Sequence, residues 1–383
     1  MLSSRFTNLH PYVPGEQPKD RVYIKLNANE NPYPPHPSVG KAVSDMALNK
    51  TEKLGLYPDP DANELRQEIA TMLNKSGGVL CNASVSGVEC TPCAKDRIPF
   101  EVTPDMIFCG NGSDEVLSFV FYSFFDSDRK LVFPNFTYSF YPVYCGFYDI
   151  PMDQVPLKGD WTLDKEKMLE DANKFISSII FANPNAPTGI SLSRDEVADM
   201  LRRAPKDRVF IVDEAYCDFG GESCIPLLKD FKNLVIVRTF SKSFSFAGMR
   251  LGFVVANPDL IQAVFTAKNS FNHFPVDNLA QTAAIASCRA VSYYAENSRK
   301  VVEERESFTE FLRKNGWFVI DSRTNFVFTR KEGYGGEEIY QHVKKNGILI
   351  RHFNTPGIED FVRITIGTHE QMDELKRILS ELT

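Results

Sequence analysis

No apolar run in this sequence approaches the length of a membrane span, and Met1-Leu2-Ser3-Ser4-Arg5 lacks the apolar core of a secretory signal. A cytoplasmic location and no membrane partner are expected. Positive charge is also in short supply, since 43 Lys and Arg stand against 50 Asp and Glu, a formal net charge of -7. Without a basic field the chain is not expected to bind nucleic acid, and a small anion would need its own pocket of arginines. Neither Gly-x-Gly-x-x-Gly nor Gly-x4-Gly-Lys-Ser/Thr occurs, which removes the dinucleotide fingerprint and the nucleotide P-loop. There is no internal repeat and no low-complexity tract.

Histidine is scarce, with six in all, and none lies near Cys90-Thr91-Pro92-Cys93 to complete a zinc set, so no metal is expected. The eight cysteines, in a chain without a secretory signal, read as reduced thiols. Cys109, Cys145, Cys217 and Cys288 sit in apolar or mixed surroundings and read as small core residues. Cys81, Cys90 and Cys93 crowd a Gly/Ser-rich stretch that reads as a surface insertion over 76–97.

What is present is an ordinary globular composition, 43% hydrophobic and 24% charged, and 383 residues allow two or three domains. Residues 1–40 are rich in Pro and Asn and read as an arm draped over another surface. From 41 to 270 strand-like runs alternate with helical periods: Met106 to Cys109, Lys130 to Phe133, Ser178 to Ala182, Val209 to Val212, Leu234 to Val237 and Leu251 to Ala256. This alternation predicts an α/β sheet covered on both faces. Residues 271–383 carry a long charged helix over Ser292 to Lys314 and then shorter strands and helices, the pattern of a smaller α+β domain.

The candidate chemistry lies just after the strand-like runs. Lys242 follows Leu234-Val235-Ile236-Val237 in Thr239-Phe240-Ser241-Lys242, a lysine at a strand end suited to forming an imine. Asp213-Glu214-Ala215-Tyr216 follows another run. Gly110-Asn111-Gly112-Ser113-Asp114-Glu115 joins a strand to a helix, where free N–H groups suit a phosphate; a plain capped turn reads the same way. Taken singly, Asp213 is equally a helix N-cap and Arg250 a solvated charge.

Together these segments resemble the fold-type I aminotransferases that depend on pyridoxal phosphate, and within them the histidinol-phosphate aminotransferase family. The resemblance runs through Leu26-Asn27-Ala28-Asn29-Glu30-Asn31-Pro32, Tyr57-Pro58-Asp59, the Gly110 to Glu115 segment, Asp213 to Tyr216, Ser241-Lys242 with Arg250, and Val362-Arg363-Ile364-Thr365-Ile366-Gly367, nearly the whole chain. It implies a large domain built on a mostly parallel seven-stranded sheet sandwiched by helices, plus a smaller C-terminal α+β domain. It also implies that Lys242 holds the cofactor as an imine and moves the substrate Cα proton. Asp213 would face the pyridine nitrogen, Tyr216 the ring hydroxyl, and Tyr138 would stack on the ring.

By the same resemblance, the cofactor phosphate would rest on the N–H groups of Ser113 and Asp114, the hydroxyls of Thr239 and Ser241, and Arg250. Tyr57 would reach the neighbouring subunit's phosphate, which implies a homodimer. The family usually has Asn directly before Pro-Thr-Gly; here Ala186 stands there, and Asn185 is expected to take over from one position earlier. Tyr12, Asn29, Arg351 and Arg363 would bind the substrate. Two arginines suit a phosphate dianion, which points to transamination of L-histidinol phosphate with 2-oxoglutarate in histidine biosynthesis. An aromatic aminotransferase, a threonine-phosphate decarboxylase-like enzyme and a binding protein without turnover are the alternatives.

Overall fold

The computed structural model describes residue 6 and residues 9–12, 15–80 and 97–382; Cys81, Cys90 and Cys93 lie outside the described residues. Strand β1 is Ile24–Lys25, and helices α1 (Pro37–Asn49) and α2 (Asn63–Ser76) follow it. Then come β2 (Ile107–Gly110), α3 (Gly112–Phe124), β3 (Leu131–Pro134), α4 (Phe140–Phe147), β4 (Met152–Val155) and α5 (Lys165–Phe175). They lead into β5 (Ser178–Ala182), α6 (Arg194–Arg203), β6 (Phe210–Asp213), β7 (Leu234–Thr239), β8 (Gly252–Ala256), α7 (Pro258–Phe271) and α8 (Asn278–Cys288).

Strands β2 to β8 form one seven-stranded sheet in the order β2-β8-β7-β6-β5-β3-β4. All pairings are parallel except those of β8, which runs antiparallel to both β2 and β7. Every strand but β4 is buried along its whole length, as expected of a sheet covered on both faces. Side chains alternate between the two faces. Ile179, Phe181, Phe210, Val212, Leu234 and Ile236 pack with α2, α5, α6 and α8 on one side. Ile180, Ile211, Val235 and Val237 pack with α3, α4 and α7 on the other. The edge strand β4 is partly exposed and polar (Met-Asp-Gln-Val), which is why its sequence carries no strand signal.

After α9 (Val291–Lys314) come β9 (Trp317–Ile320), β10 (Phe326–Lys331), α10 (Gly336–Lys345), β11 (Ile348–Leu349), β12 (Arg351–His352), β13 (Val362–Thr365) and α11 (His369–Leu379). They build an antiparallel sheet in the order β12-β13-β10-β9. Beyond the boundary expected at residue 271, α8 and α9 divide between the two cores. Ala280, Ala283 and Ala284 of α8, and Tyr294 and Ala295 early in α9, join the large-sheet core, whereas Val301, Phe308 and Leu312 of α9 join the small one. The arm is likewise more than a drape: β1 pairs in parallel with β11, and Leu26 exchanges main-chain hydrogen bonds with Leu349 and Thr365.

Candidate active site

Strands β2, β3, β5, β6 and β7 all end at one edge of the large sheet, and β8 enters from it, since its Gly252 is paired with both Gly110 and Thr239. Loops after such strand ends are where an open α/β sheet places ligands. A cleft of about 540 Å³ opens there, lined by Lys242, Tyr216 and Tyr138 from the large unit, Arg351 and Arg363 from the small one, and Tyr12 and Asn29 from the arm.

The lysine sits on a turn held by packing and a hydrogen bond. Phe240, Phe244 and Phe246 are buried beneath it, and Asn31 Nδ2 donates to the Lys242 carbonyl at 3.0 Å. Lys242 Nζ lies 5.5 Å from the centre of the Tyr216 ring. Asn29 Nδ2 donates to the Tyr216 hydroxyl at 2.7 Å, and Asn29 Oδ1 accepts from Thr365 at 3.1 Å. Asn29 therefore braces the arm between both domains as well as lining the cleft.

Asp213 closes β6 with 4% of its surface exposed. Its donors are the Tyr141 hydroxyl at 2.9 Å and the Ala215 N–H at 3.1 Å, neither of them charged. Burial raises its pKa from 3.8 to about 6 against those hydrogen bonds. Tyr141 did not stand out in the sequence, and its only signal is its place three residues after Tyr138. Burial pushes the phenols of both well above their ordinary value, so they remain donors.

At the start of α3 the Asn111 side chain makes no cap and Glu115 accepts only from the Asn111 N–H at 2.7 Å, leaving the N–H groups of the first turn for a ligand. Arg250, at φ 52°, presses its guanidinium against this turn, and a Cβ on Gly112 would come within 2.4 Å of Arg250 Nη2. Asp114 Oδ2 pairs with Arg250 at 3.0 Å while its Oδ1 accepts from Tyr138 at 2.6 Å. Thr239 and Ser241 are buried close by, and the Ser241 N–H donates to Thr239 Oγ1 at 3.1 Å.

On the small sheet Arg351 and Arg363 are direct cross-strand partners, which places both guanidinium groups on one face. Arg363 Nη2 donates to the Asn27 carbonyl at 3.2 Å, and its buried Nε has no hydrogen-bond partner among the described residues. Burial above all lowers its pKa, with the Arg351 charge acting in the same direction. An anion in the cleft relieves both effects. The Tyr12 ring lies tilted against Phe140 at the rim, 4.8 Å between ring centres.

One expectation looks different in the structure. Asn185 donates both amide hydrogens, to the Phe136 carbonyl at 2.9 Å and to Thr188 Oγ1 at 3.0 Å, and its oxygen accepts from Thr137 at 2.9 Å. It ties two loops together and has no donor left for a ring oxygen; Ala186 and Pro187 form the cleft wall instead. Tyr57, expected to serve a neighbouring subunit, is away from this chain's own cleft, 81% exposed and stacked at 4.5 Å on Phe274.

The family model described as aminotransferase class I and II matches residues 21–379. The chain belongs to that family. A histidinol-phosphate aminotransferase of Syntrophus aciditrophicus (strain SB) is 48% identical over 99% of this chain and 98% of its own. Histidinol-phosphate aminotransferase 1 of Bradyrhizobium diazoefficiens is 42% identical over 98% and 97%. Among solved structures, the Sinorhizobium meliloti histidinol-phosphate aminotransferase in complex with pyridoxal-5'-phosphate gives a TM-score of 0.78 at 23% identity, covering 95% of this chain and 93% of that one. The L-threonine-O-3-phosphate decarboxylase of Porphyromonas gingivalis gives 0.71 at 23%, covering 94% and 99%. At these identities the structural likeness shows the fold-type I architecture.

Aminotransferases of this family depend on pyridoxal phosphate, and the residues fit that group. A buried carboxylate held only by neutral donors suits a protonated ring nitrogen, and an uncapped helix start against an arginine suits a phosphate. Lys242 supplies the amine.

Proposed function

We propose that this aminotransferase passes the amino group of L-histidinol phosphate to 2-oxoglutarate, forming imidazole acetol phosphate and glutamate. The observation that carries this reading is the cross-strand pair Arg351 and Arg363 facing the cleft that holds Lys242. Two like charges directly opposite one another disfavour a sheet, and a phosphate dianion offsets that cost with bidentate hydrogen bonds. The names of the relatives at 48% and 42% identity support the same substrate.

Pyridoxal phosphate, when bound, supplies a carbonyl carbon for amines and a conjugated ring that accepts electrons from the substrate Cα. Asp213 would hold the proton on the ring nitrogen, with Tyr141 and the Ala215 N–H keeping the carboxylate in place. Lys242 would hold the cofactor, then take the Cα proton of the substrate and return it to the cofactor carbon C4′, two atoms further on. Tyr216, oriented by Asn29, would donate to the ring oxygen. Ser113, Asp114, Thr239, Ser241 and Arg250 would hold the cofactor phosphate, and Tyr138 would pack on the ring face. Arg351, Arg363 and Tyr12 would hold the substrate phosphate, and in the second half-reaction the two arginines would take a carboxylate of 2-oxoglutarate. The exposed Tyr57 supports a homodimer in which each subunit completes the other's phosphate site. No helix among the described residues is long and apolar enough to cross a membrane; the cytoplasm is the proposed location.

The test is a substrate panel with histidinol phosphate, phenylalanine, tyrosine and threonine phosphate, each against 2-oxoglutarate. Turnover confined to histidinol phosphate supports the proposal. Preference for an aromatic amino acid, or carbon dioxide release from threonine phosphate, overturns it.

A further inference from the structure

Beneath the lysine loop lies a buried ion network to which the reaction above assigns no part. Side chains alternate along a strand, so Asp213 and the following Glu214 point in opposite directions. Glu214 turns away from Tyr141 and pairs with Arg238 Nη1 at 3.0 Å. Arg238 Nη2 pairs with Asp218 Oδ1 at 2.9 Å, and all three side chains are buried. The remaining positions are filled as well: Arg238 Nη1 donates to the Gly78 carbonyl at 2.8 Å, and the Leu80 N–H donates to Asp218 Oδ1 at 3.0 Å. One contact leads out of the network toward the chemistry. Ser243 Oγ donates to Asp218 Oδ2 at 2.6 Å, and Ser243 is the residue after Lys242.

The main chain at Lys242 is thus held from two sides. Asn31 Nδ2 bridges the carbonyls of Lys242 and Ser243 at 3.0 and 3.3 Å, while Asp218 grips the Ser243 side chain. A buried ion network is weak evidence for stability, because desolvation offsets most of its attraction. What this one does is fix a point. A carboxylate accepting a hydroxyl at short range makes a stronger and more directional hold than a neutral pair. Arg238 anchors the other oxygen of that carboxylate.

We infer that Asp218 is a positioning residue for Lys242: through Ser243 it fixes the backbone from which the lysine amine reaches the cleft, and Arg238, paired with Asp218 Oδ1 at 2.9 Å, holds that carboxylate in place. The inference rests on Lys242 being the lysine that holds the cofactor. It adds a requirement which that reading lacks, namely that the amine's point of departure be set by the Asp218 and Ser243 contact.

The experiment uses the cofactor-loaded enzyme and the variants Ser243→Ala, Ser243→Thr, Asp218→Asn and Lys242→Ala, with Val197→Ala in the distant core of α6 as a control for stability alone. For Ser243→Ala, kcat is expected to fall about tenfold with KM for the amino donor changed less than about twofold, as for a misplaced reacting group. The visible circular dichroism of the bound cofactor weakens in parallel, and Ser243→Thr, which keeps the hydroxyl, recovers most of both. Asp218→Asn behaves as Ser243→Ala or worse; if it does not fold, the Ser243 pair decides. Val197→Ala lowers only the unfolding temperature. The inference is overturned if Ser243→Ala keeps the wild-type kcat and dichroism, or if Ser243→Thr is no better than Ser243→Ala. A visible band that survives Lys242→Ala, or is missing from the wild type, instead refutes the underlying reading of Lys242.

Discussion

The hydroxyl of Tyr141, a buried side chain in the first turn of α4, donates to Asp213 Oδ2 across 2.9 Å. This bond opposes the desolvation that otherwise drives the Asp213 carboxyl upward. In the cofactor-free protein the folded state holds a proton on Asp213 at pH values where the unfolded chain, at 3.8, has lost it. Stability from this group is therefore greatest below 3.8 and falls as pH rises toward about 6. Relative to Asp213→Asn, the cofactor-free wild type should lose about 3 kcal/mol across that window, measured as the difference between denaturant unfolding curves. Tyr141→Phe should extend the window to higher pH. A difference curve that rises with pH would refute this account.

Arg351 and Arg363 make the second prediction. Each bidentate contact to phosphate is a charge-assisted pair, so Arg351→Lys or Arg363→Lys should raise KM for histidinol phosphate roughly 10- to 100-fold. Steady-state kinetics should show kcat within about threefold of wild type, because the contact serves ground and transition states alike. Inorganic phosphate should compete with the donor in the wild type and lose that competition in the double variant.

Glycine 252 tests the phosphate cradle. A Cβ there would meet Ser113 N at 2.5 Å and the Gly112 carbonyl carbon at 2.6 Å, both main-chain atoms that cannot rotate aside. Gly252→Ala should therefore cost about 2 kcal/mol or more of stability by forcing β8 from the start of α3. Cofactor retention through gel filtration should fall with it. Gly248→Ala, where nothing lies within 4 Å of the added carbon, should leave both unchanged.

A shared site makes the fourth prediction. Lys242→Ala and Tyr57→Ala homodimers should each be impaired, but mixed dimers should contain one intact site, with Lys242 from one subunit and Tyr57 from the other. Refolding the two variants together should restore about a quarter of wild-type activity if subunits exchange at random. Mixing that restores nothing would rule out the exchange of Tyr57.

The strands that carry the site were legible because a parallel strand buried on both faces is one unbroken apolar run, as in Leu234 to Val237. Other features depended on partners far along the chain. The run Ile348 to Ile350 reads as one strand, yet β11 goes to the arm while β12, just beyond it, goes to Arg363's strand. Helix α4 contains Pro142 and Gly146 and is apolar all round, so it shows no helical period. Asn185 sits beside the position the family reserves for an Asn, but Phe136 and Thr188 settle where its hydrogens go. A motif gives residue types in order; which groups remain unspent is decided by neighbours the motif does not contain.

The arm strand has a metric consequence. Leu26 is fastened to Leu349 of β11 and to Thr365 of the small sheet, and five residues later Asn31 is fastened to the carbonyl of Lys242. A stretch of chain that short spans at most about 17 Å, so it acts as a tether of set length between the arginine pair and the amine. The enzyme should then gauge the distance from phosphate to amino group as much as the charge. A donor longer by one methylene should lose kcat even where it still binds.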